Sequence, residues 1–481
     1  LNNDNILFIK RDYQRRIFQA EKWTDNYIYQ PKIFMNNKRV YVVDAYALVL
    51  KYDTTEKVLE SHDLKYVAEH FNFRNDDRVI LQHTDIEKAY SDDREAFKNY
   101  LENDVKEAYQ IFDLLYPTYY YLRFIMPFNL DYEDVYVMST AKLWEKLLAS
   151  HYPKSYYEQL QPEPEKKFKG GLAIIHSGLY QNVYKLDISS MYPHIILNYK
   201  IYPEEKDINK YMLAYVKLFK DKRLEYKKKA KQGDKSADML QSALKLLINS
   251  AFGFCGTAGM RFNDYKAAAG ITAYGRIMLK FMIDFLVSRG AIIIECDTDG
   301  IYYTTNGDVD CVKLYEELRA ELNKIKFDIE LEYRDAVMFA SDKKNYILYL
   351  KDKIIIKGSK WRGRDKNNLR RRWAIEYIKM LAIDPDRAQI MENEMRELIK
   401  SGKAWEWLAC SVRVSKSDKY LMNAGYKEGD RVRHCYVSYK KKTISTSPDG
   451  GYDVRYYLTE FEKLLKEIHK VTFKSNKGGV A

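Results

Sequence analysis

The feature that most constrains the fold is a pair of apolar stretches joined by an acidic turn. Residues 291–296 and 301–305 are rich in β-branched and aromatic side chains, which is typical of strands. The tetrapeptide Asp-Thr-Asp-Gly at 297–300 separates them, and this spacing predicts a tight β-hairpin. A turn needs only one Asp and one Gly, and a second carboxylate beside a core is unfavourable. Taken alone, the tetrapeptide is best explained as a solvated hairpin tip.

A second short strand changes this interpretation, because it also ends on an aspartate. Residues 183–186 precede Asp187, which opens the run Asp-Ile-Ser-Ser-Met-Tyr-Pro. Carboxylates that converge from two strand ends could bind two divalent cations, and Mg²⁺ prefers such oxygen ligands together with substrate phosphates. Two ions about 4 Å apart can activate an attacking hydroxyl and stabilise a leaving phosphate oxygen. Asp187, Asp297 and Asp299 are therefore candidate catalytic and metal-binding residues.

Residues 211–256 are predicted to form an antiparallel helical hairpin with a turn at Gln-Gly-Asp-Lys. On its second helix, Lys245, Asn249 and Phe252 share a face opposite the apolar side. On the first helix, Arg223 and Lys227 lie one turn apart. Two ordinary solvated helix faces are the alternative, since lysines at helical spacing are common. A surface of three cations beside a carboxylate cluster would suit a nucleoside triphosphate.

Composition bounds the class of protein. The 481 residues favour two to four domains, and 46% hydrophobic residues exclude wholesale disorder. Lys and Arg number 80 against 68 Asp and Glu, a net charge of +12, which favours a polyanionic partner or reflects composition bias. The five scattered cysteines favour reduced thiols and an intracellular protein. No membrane segment or secretory signal is predicted, and because the chain begins at Leu1 an N-terminal portion is expected to be missing.

Three segments resemble, in order, the polymerase motifs of family B DNA polymerases. Residues 187–193 resemble the first motif, with Met191 in place of Leu. Residues 245–253 resemble the second, Lys-x-x-x-Asn-Ser-x-Tyr-Gly, with Phe252 where Tyr is usual. Residues 295–300 resemble the third, with Glu295 in place of its Tyr and a final Gly as in archaeal members.

Two shorter elements agree with this order. Residues 168–171 resemble the Tyr-x-Gly-Gly element between the exonuclease and polymerase regions, and residues 344–346 resemble a Lys-x-Tyr element that contacts primer–template. The resemblance covers the chain and is most specific in 168–346. The stretch between Asp187 and Lys245 leaves no room for the large insertion of the protein-primed branch, so extension of a nucleic-acid primer is expected.

The resemblance implies a role for each matched residue. Two Mg²⁺ ions, for which Mn²⁺ can substitute, are expected on Asp187 and Asp299, with Asp297 in support. Tyr192 is expected to stack under the sugar and exclude a 2′-hydroxyl. The nucleotide-binding residues would be Ser190, Tyr192, Arg223, Lys227, Lys245 and Asn249. The DNA-binding residues would be Gly170, Gly171, Lys344, Tyr346, Lys357, Lys360, Arg362 and Arg364.

The match to the family's proofreading nuclease is broken. Tyr100 and Asp104 fit its third motif, Tyr-x-x-x-Asp, with both side chains on one helix face. Asp4 is the only carboxylate near its second motif, and the first motif, Asp-x-Glu, is absent from its expected place. Either upstream sequence is missing or this region is a structural remnant. Both a catalytic and a structural role for Asp104 stay open.

The resemblance implies an α/β (α+β) right hand. Its palm would be an antiparallel sheet, its fingers a helical hairpin and its thumb mostly helical, preceded by part of an exonuclease-like (RNase H-like) domain. The expected domains are a partial 3′–5′ exonuclease-like domain (1–115, short strands alternating with helices), a helical connector and linker (116–167), palm (168–210 and 257–360), fingers (211–256) and thumb (361–481).

The expected activity is template-directed DNA synthesis by two-metal-ion nucleotidyl transfer. Its expected partners are primer–template DNA, deoxynucleoside triphosphates and a processivity factor or other replication proteins, in a prokaryotic or virus-infected cell. The alternatives are a non-catalytic DNA-binding subunit derived from a polymerase, and a metal-dependent nuclease. The metal carboxylates argue against the first, and the incomplete nuclease motifs argue against the second.

Overall fold

The structure, a computed structural model, describes residues 6–19, 22–35, 38–41, 43–56, 59, 61–73, 78–79, 81, 86–132, 134–305, 307, 309–362 and 367–475. The chain forms two compact units. Unit 1 comprises Leu1–Phe168 and Ile195–Ile271, and unit 2 comprises Lys169–His194 and Thr272–Ala481.

Unit 1 begins with an antiparallel three-stranded sheet. Its strands are β1 (Ile6–Gln19), β2 (Lys22–Met35) and β3 (Lys38–Val40). The sequence predicts short strands alternating with helices over the first 115 residues, whereas β1 and β2 are 14 residues long and helices follow from Ala45. The pairing of β1 with β2 runs from one end of the strands to the other, and it outweighs the local sequence preferences on which the prediction of short strands rested.

The rest of unit 1 is helical. Its first helices are α1 (Ala45–Glu56), α2 (Leu64–His70), α3 (Ile86–Asp92), α4 (Arg94–Tyr120), α5 (Leu122–Ile125), α6 (Asp134–Val137), α7 (Thr140–Ala149) and α8 (Lys154–Gln159). Further along the chain come α9 (Met191–Tyr199), α10 (Tyr211–Ala230), α11 (Lys235–Cys255) and α12 (Tyr265–Val287). Helices α9 and α12 contain two of the points at which the chain passes between the units. None of the helices within the described ranges has the length and apolarity needed to cross a membrane.

The predicted helical hairpin is confirmed as α10 and α11, which pack together. The side chain of Asp234 caps α11 by accepting a 3.0 Å hydrogen bond from the Ala237 N–H. Helix α11 continues through Gly253 and ends at Gly256, so the first glycine does not terminate it. Its apolar side is buried within unit 1, which explains why the helix persists.

Trp144 of α7 fastens the hairpin to the N-terminal helices. Its indole is fully buried, contacts the rings of Phe219 and Phe254, and donates a 3.0 Å hydrogen bond to the Leu247 carbonyl. One side chain therefore joins three helices through both apolar contact and a satisfied polar group.

Unit 2 is built on a seven-stranded antiparallel sheet. Its strands are β4 (Ala173–Ile175), β5 (Gly178–Ile188), β6 (Ala291–Asp297), β7 (Gly300–Thr305), β8 (Ile329–Asp342), β9 (Asn345–Tyr349) and β10 (Ile354–Lys357), in the spatial order β10-β9-β8-β5-β7-β6-β4. The predicted hairpin across 297–300 is confirmed as β6 and β7. Strand β5 lies beside β7, which brings the two aspartate-bearing segments to the same end of the sheet.

The C-terminal part of unit 2 is mostly helical, as predicted for 361–481, but it also contains a sheet that was not predicted. Its helices are α13 (Cys311–Lys324), α14 (Ser359–Arg362), α15 (Ala374–Ile383), α16 (Pro385–Lys400), α17 (Trp405–Leu408), α18 (Lys419–Asn423) and α19 (Val454–Ser475). A three-stranded antiparallel sheet interrupts them, formed by β11 (Cys410–Arg413), β12 (Arg431–Ser438) and β13 (Thr443–Ser445). Strands β11 and β13 are only four and three residues long, so an apolar alternation is hard to detect in the sequence.

Replacement of Trp144 by Ala is expected to destabilise unit 1 by about 3–5 kcal/mol, because it empties a fully buried ring site and removes the hydrogen bond from the indole to the Leu247 carbonyl. Urea unfolding followed by circular dichroism measures the loss. Phe124→Ala is the matched control, since that ring is 65% exposed and its removal should change stability by less than about 0.5 kcal/mol. Equal losses in the two variants would contradict the role given to Trp144.

Candidate functional site

Two carboxylates meet at the ends of adjacent strands in unit 2. The register of β5 against β7 pairs Asp187 with Gly300, the residue after Asp299. The Ile188 N–H donates a 2.9 Å hydrogen bond to the Asp299 carbonyl, which fixes the two backbones beside one another. A methyl group placed on Gly300 would lie 3.4 Å from Asp187 Oδ1, so the glycine leaves room for that carboxylate.

The paired carboxylates lie in an environment that disfavours their charged forms. Burial and the neighbouring charge of Asp299 raise the pKa of Asp187 to about 7. Burial likewise raises the pKa of Asp299, and the Lys185 ammonium partly offsets this. Two buried like charges at adjacent strand ends form an acidic site that a cation would stabilise.

Lys185 and Glu332 are further members of the site that the sequence motifs do not contain. Lys185 precedes Asp187 by two residues on β5, so both side chains project from the same face of the sheet. Its ammonium forms an ion pair with Glu332 of β8. The i, i+2 spacing on a strand is the signal that identifies Lys185, whereas Glu332 is brought there by the pairing of β5 with β8.

Asp297 faces a different partner from the other two aspartates. Its Oδ1 lies 3.2 Å from the Lys344 Nζ and accepts a 3.0 Å hydrogen bond from the Thr298 hydroxyl. Thr298 has a left-handed backbone with φ of 64°, which turns the chain between the two aspartates. The structure therefore joins Asp297 to the predicted DNA-binding lysine.

Glu295, which stands where the family motif has Tyr, is buried with only 2% of its surface exposed. Its Oε2 has no hydrogen-bond partner among the described residues. Burial and the charge of Asp297 raise the pKa of Glu295 to about 7, while the backbone amide of Lys344 favours its charged form. The substitution adds a fourth carboxylate next to the acidic turn.

The donor set of Asp187 and Asp299 fits a hard divalent cation. Mg²⁺ is commonly bound through one or two carboxylates, with water and substrate phosphates completing its coordination. Over the described residues, no group of three or more His, Cys, Asp or Glu side chains is arranged to hold a metal ion. Two protein carboxylates, rather than three, are therefore brought together, and Asp297 as a ligand stays a prediction.

Tyr192 lies next to the acidic turn. Burial and the charges of Asp299 and Asp297 raise the pKa of the Tyr192 hydroxyl to about 12. A methyl group on Gly171 would come within 3.3 Å of that hydroxyl and of Thr298, so only a glycine lets these backbones approach this closely. Ser190 precedes the helix with a left-handed backbone, φ 53°, and turns the chain from β5 into α9.

The predicted glycine element is held by α12. The Arg276 guanidinium donates 2.7 Å hydrogen bonds to the carbonyls of Lys169 and Gly170, and the Thr272 hydroxyl donates a 2.9 Å hydrogen bond to Lys169. Arg276 is a further site residue that the sequence motifs do not contain. Its cation partly offsets the rise in the pKa of Tyr192 that burial and the aspartates cause.

The other predicted DNA-binding residues fall into three groups. The Tyr346 hydroxyl lies 2.9 Å from the Tyr302 hydroxyl, so this ring is tied to β7. The ammonium of Lys360 forms ion pairs with Asp342 and Glu467 within the chain. Lys357, by contrast, is exposed. The side chain of Arg362 and the whole of Arg364 lie outside the described residues.

The predicted triphosphate-binding residues all lie in unit 1, on the hairpin. Arg223 and Lys227 lie on α10, and Lys220, whose pKa burial lowers, lies one turn before them. Lys245 and Asn249 lie one turn apart on α11, and both are exposed. Lys220 was not predicted, although its spacing of three residues from Arg223 is a helical signal.

The predicted nuclease residues form an ion-pair cluster in unit 1. Arg78, only 1% exposed at its side chain, binds Asp104 at 2.5 Å and also pairs with Glu107. Burial and a hydrogen bond to Asp104 raise the pKa of Tyr100. The third predicted residue, Asp4, lies outside the described residues. A guanidinium therefore pairs with Asp104, the described carboxylate that the nuclease motif would assign to a metal ion.

Comparison with known proteins connects this geometry to one family. Residues 212–428 match the sequence profile of DNA polymerase family B. The DNA polymerase of Archaeoglobus fulgidus is 27% identical over 396 residues, which cover 75% of this chain and 50% of the relative. DNA polymerase 1 of Sulfolobus acidocaldarius is 29% identical over 305 residues, which cover 54% of this chain and 34% of the relative. The chain thus spans about half, or less, of the length of these curated relatives.

The fold agrees with this assignment. A solved structure of the family B DNA polymerase from the hyperthermophilic archaeon Pyrobaculum calidifontis aligns with a TM-score of 0.63 and 20% identity. The alignment covers 94% of this chain and 65% of that structure, and at this identity it speaks for the fold alone. The mixed architecture of helices and antiparallel sheets is therefore shared with a family B enzyme. With the profile match over residues 212–428 and the archaeal relatives, the chain is similar to DNA polymerase family B in sequence and in fold.

Proposed function

We propose that this chain catalyses template-directed DNA synthesis in DNA replication, extending a nucleic-acid primer with deoxynucleoside triphosphates. The observation that carries the proposal is the pairing of Asp187 and Asp299 at adjacent strand ends, within motifs that follow the family order. Similarity to DNA polymerase family B supports the reaction class.

In this reaction the primer 3′-hydroxyl attacks the α-phosphate of the nucleotide in line, and pyrophosphate leaves. Asp187 and Asp299 would hold two Mg²⁺ ions, or Mn²⁺ in their place, with Asp297 in support. When bound, the metal promotes deprotonation of the attacking hydroxyl and stabilises charge on the leaving oxygen. The protein holds the two carboxylates in a fixed register, which confines the reacting groups to one geometry.

Substrate contacts are proposed residue by residue. Tyr192, beside the acidic turn, would stack under the sugar and exclude a 2′-hydroxyl, with Ser190 next to it. Lys344, which faces Asp297, would meet the primer–template, as would Tyr346, Lys357 and the Gly170–Gly171 backbone. The hairpin residues proposed for the triphosphate are Arg223, Lys227 and Lys245, and Asn249 would line the pocket of the nascent base pair. Lys360, Arg362 and Arg364 complete the proposed DNA contacts.

The right-hand division remains a proposal built on these elements. The palm corresponds to the seven-stranded sheet and its helices, the fingers to α10 and α11, and the thumb to residues 361–481. Residues 1–115 would be the nuclease-like remnant and 116–167 the connector. A processivity factor or other replication proteins are proposed as further partners.

Two alternative functions have weaker support. A non-catalytic DNA-binding subunit would not need the buried pair of Asp187 and Asp299. The pKa values of both aspartates are raised, so their charged forms are unfavourable where they lie. Such an arrangement is typical of a functional site and has no purpose in a purely structural protein. A nuclease would need a free carboxylate at Asp104, and Arg78 pairs with that carboxylate at 2.5 Å.

Asp299→Asn is expected to lower primer extension at least about a thousandfold, because it removes one of two carboxylates that would hold the metal. A labelled primer–template resolved on a gel measures extension, and anisotropy measures DNA affinity, which should be retained. Asp352→Asn, in an exposed turn of the same unit, is the control and should extend normally. Undiminished extension by Asp299→Asn would refute the proposal.

Tyr192→Ala is expected to raise the incorporation of ribonucleotides relative to deoxynucleotides by about tenfold, since the ring that meets the 2′-hydroxyl is lost. Competing single-nucleotide additions measure the ratio. Tyr199→Ala, at the exposed end of the same helix, should leave sugar selection unchanged. An unaltered ratio in Tyr192→Ala would remove this residue from sugar recognition.

Asp104→Asn is expected to leave primer degradation unchanged and to lower the free energy of unfolding by about 1–2 kcal/mol, because the buried Arg78 guanidinium loses one charged partner. Nuclease assays with Mg²⁺ and urea unfolding are run on the same preparation. Asp113→Asn, further along α4, serves as the control. A fall in primer degradation without loss of stability would instead support a catalytic Asp104.

A further inference from the structure

A cleft of about 740 Å³ lies within unit 1, between the hairpin and the N-terminal helices. One wall is the face of α11 that carries Lys245 and Asn249. The opposite wall is formed by α1, the end of α2 and α4, through residues such as Tyr52, Phe71 and Thr118. A volume in this range is typical of pockets that bind small organic ligands.

The charge of the cleft is one-sided. Among the described side chains Lys245 is its only charged lining residue, so no described Asp or Glu lines it. Neither Lys245 nor Asn249 has a hydrogen-bond or ion-pair partner among the described residues. Two other lysines of the hairpin do form ion pairs, Lys217 with Asp221 at 3.5 Å and Lys229 with Glu225 at 2.6 Å. An unpaired cation in a cleft whose described lining residues include no carboxylate favours an anionic ligand.

The opposite wall offers apolar and aromatic surface. The rings of Tyr52 and Phe71 contact one another with centroids 5.5 Å apart, and Leu115 and Tyr119 of α4 are buried behind the cleft. Hydroxyl groups of Thr118, Thr140 and Ser242 lie among these side chains. Flat aromatic surface beside hydrogen-bonding groups and one cation is the combination that binds a base and its phosphate.

We infer that this cleft binds one nucleotide unit, with its phosphate at Lys245 and its base against the Phe71 and Tyr52 wall. The inference rests on the proposed function for Lys245 and Asn249, and it adds a recognition surface from the N-terminal helices. The same chemistry is presented by a free deoxynucleoside triphosphate and by a nucleotide of single-stranded template. Either source would give the N-terminal region a role in substrate binding. Its carboxylates Asp104 and Glu107 do not provide such a role, because Arg78 pairs with both.

Two binding assays test the inference without requiring catalysis. One titrates a fluorescent deoxynucleoside triphosphate, and the other a labelled single-stranded oligodeoxythymidylate. Phe71→Ala is expected to weaken at least one of these ligands about tenfold, because it removes a stacking surface. Phe73→Ala is the matched control: its ring lies 5.9 Å from that of Phe71 but does not line the cleft, so both affinities should stay within about twofold of the wild type.

Lys245→Gln tests the phosphate end, with Lys235→Gln on the same helix as its control. Thr118→Trp, which fills the cleft from α4, provides a second variant if Phe71→Ala does not fold. If the variants bind only the triphosphate more weakly, the incoming nucleotide is identified as the ligand. If they bind the oligonucleotide more weakly, the template is identified as the ligand. Unchanged affinity for both ligands in Phe71→Ala and Thr118→Trp overturns the inference.

These outcomes separate the inference from the proposed function. If Lys245→Gln weakens the triphosphate and the wall variants do not, the proposed role of Lys245 stands and the cleft inference fails. If the wild-type chain does not extend a primer but binds either ligand through Phe71, the cleft inference stands and the proposed synthesis fails.

Discussion

Two buried carboxylates at neighbouring strand ends are the constraint on which unit 2 depends. Asp187 and Asp299 repel one another, so their proximity must be imposed by backbone pairing, and the β5–β7 register does this. A slip of one residue would turn Asp187 to the other face of the sheet. The glycine at 300 keeps the space that the carboxylate needs, so turn chemistry and strand register act together.

Around Asp187 and Asp299 there are more acidic side chains than basic ones. Lys185 pairs with Glu332 and Lys344 pairs with Asp297, while Glu295 keeps an oxygen without a hydrogen-bond partner among the described residues. Carboxylates therefore outnumber the cations that face them, and the protein alone does not balance the site. An arrangement of this kind is costly for stability and is favourable for binding a divalent cation.

The acidic cluster of unit 1 shows the opposite solution. There the buried Arg78 guanidinium lies against both Asp104 and Glu107, so each of these carboxylates has a cationic partner within the protein. Unit 1 contributes the hairpin instead, which Trp144 fastens to the N-terminal helices and which presents Lys245 to a cleft whose described lining residues include no acidic side chain. The acidic clusters of the two units thus differ in whether each carboxylate has a cationic side chain of the protein as its partner.

The sequence by itself determined the local elements and the motif residues on them. Helices α10 and α11 and the β6–β7 hairpin follow from periodicity, capping and turn residues, which act over a few positions. Only the tertiary structure decided which side chains meet across long separations: Lys185 with Glu332, Arg78 with Asp104, Lys360 with Glu467. Such pairs depend on strand register and helix packing, which no local pattern encodes, and for the same reason the sheet of β11 to β13 and the cleft beside Lys245 could not be predicted.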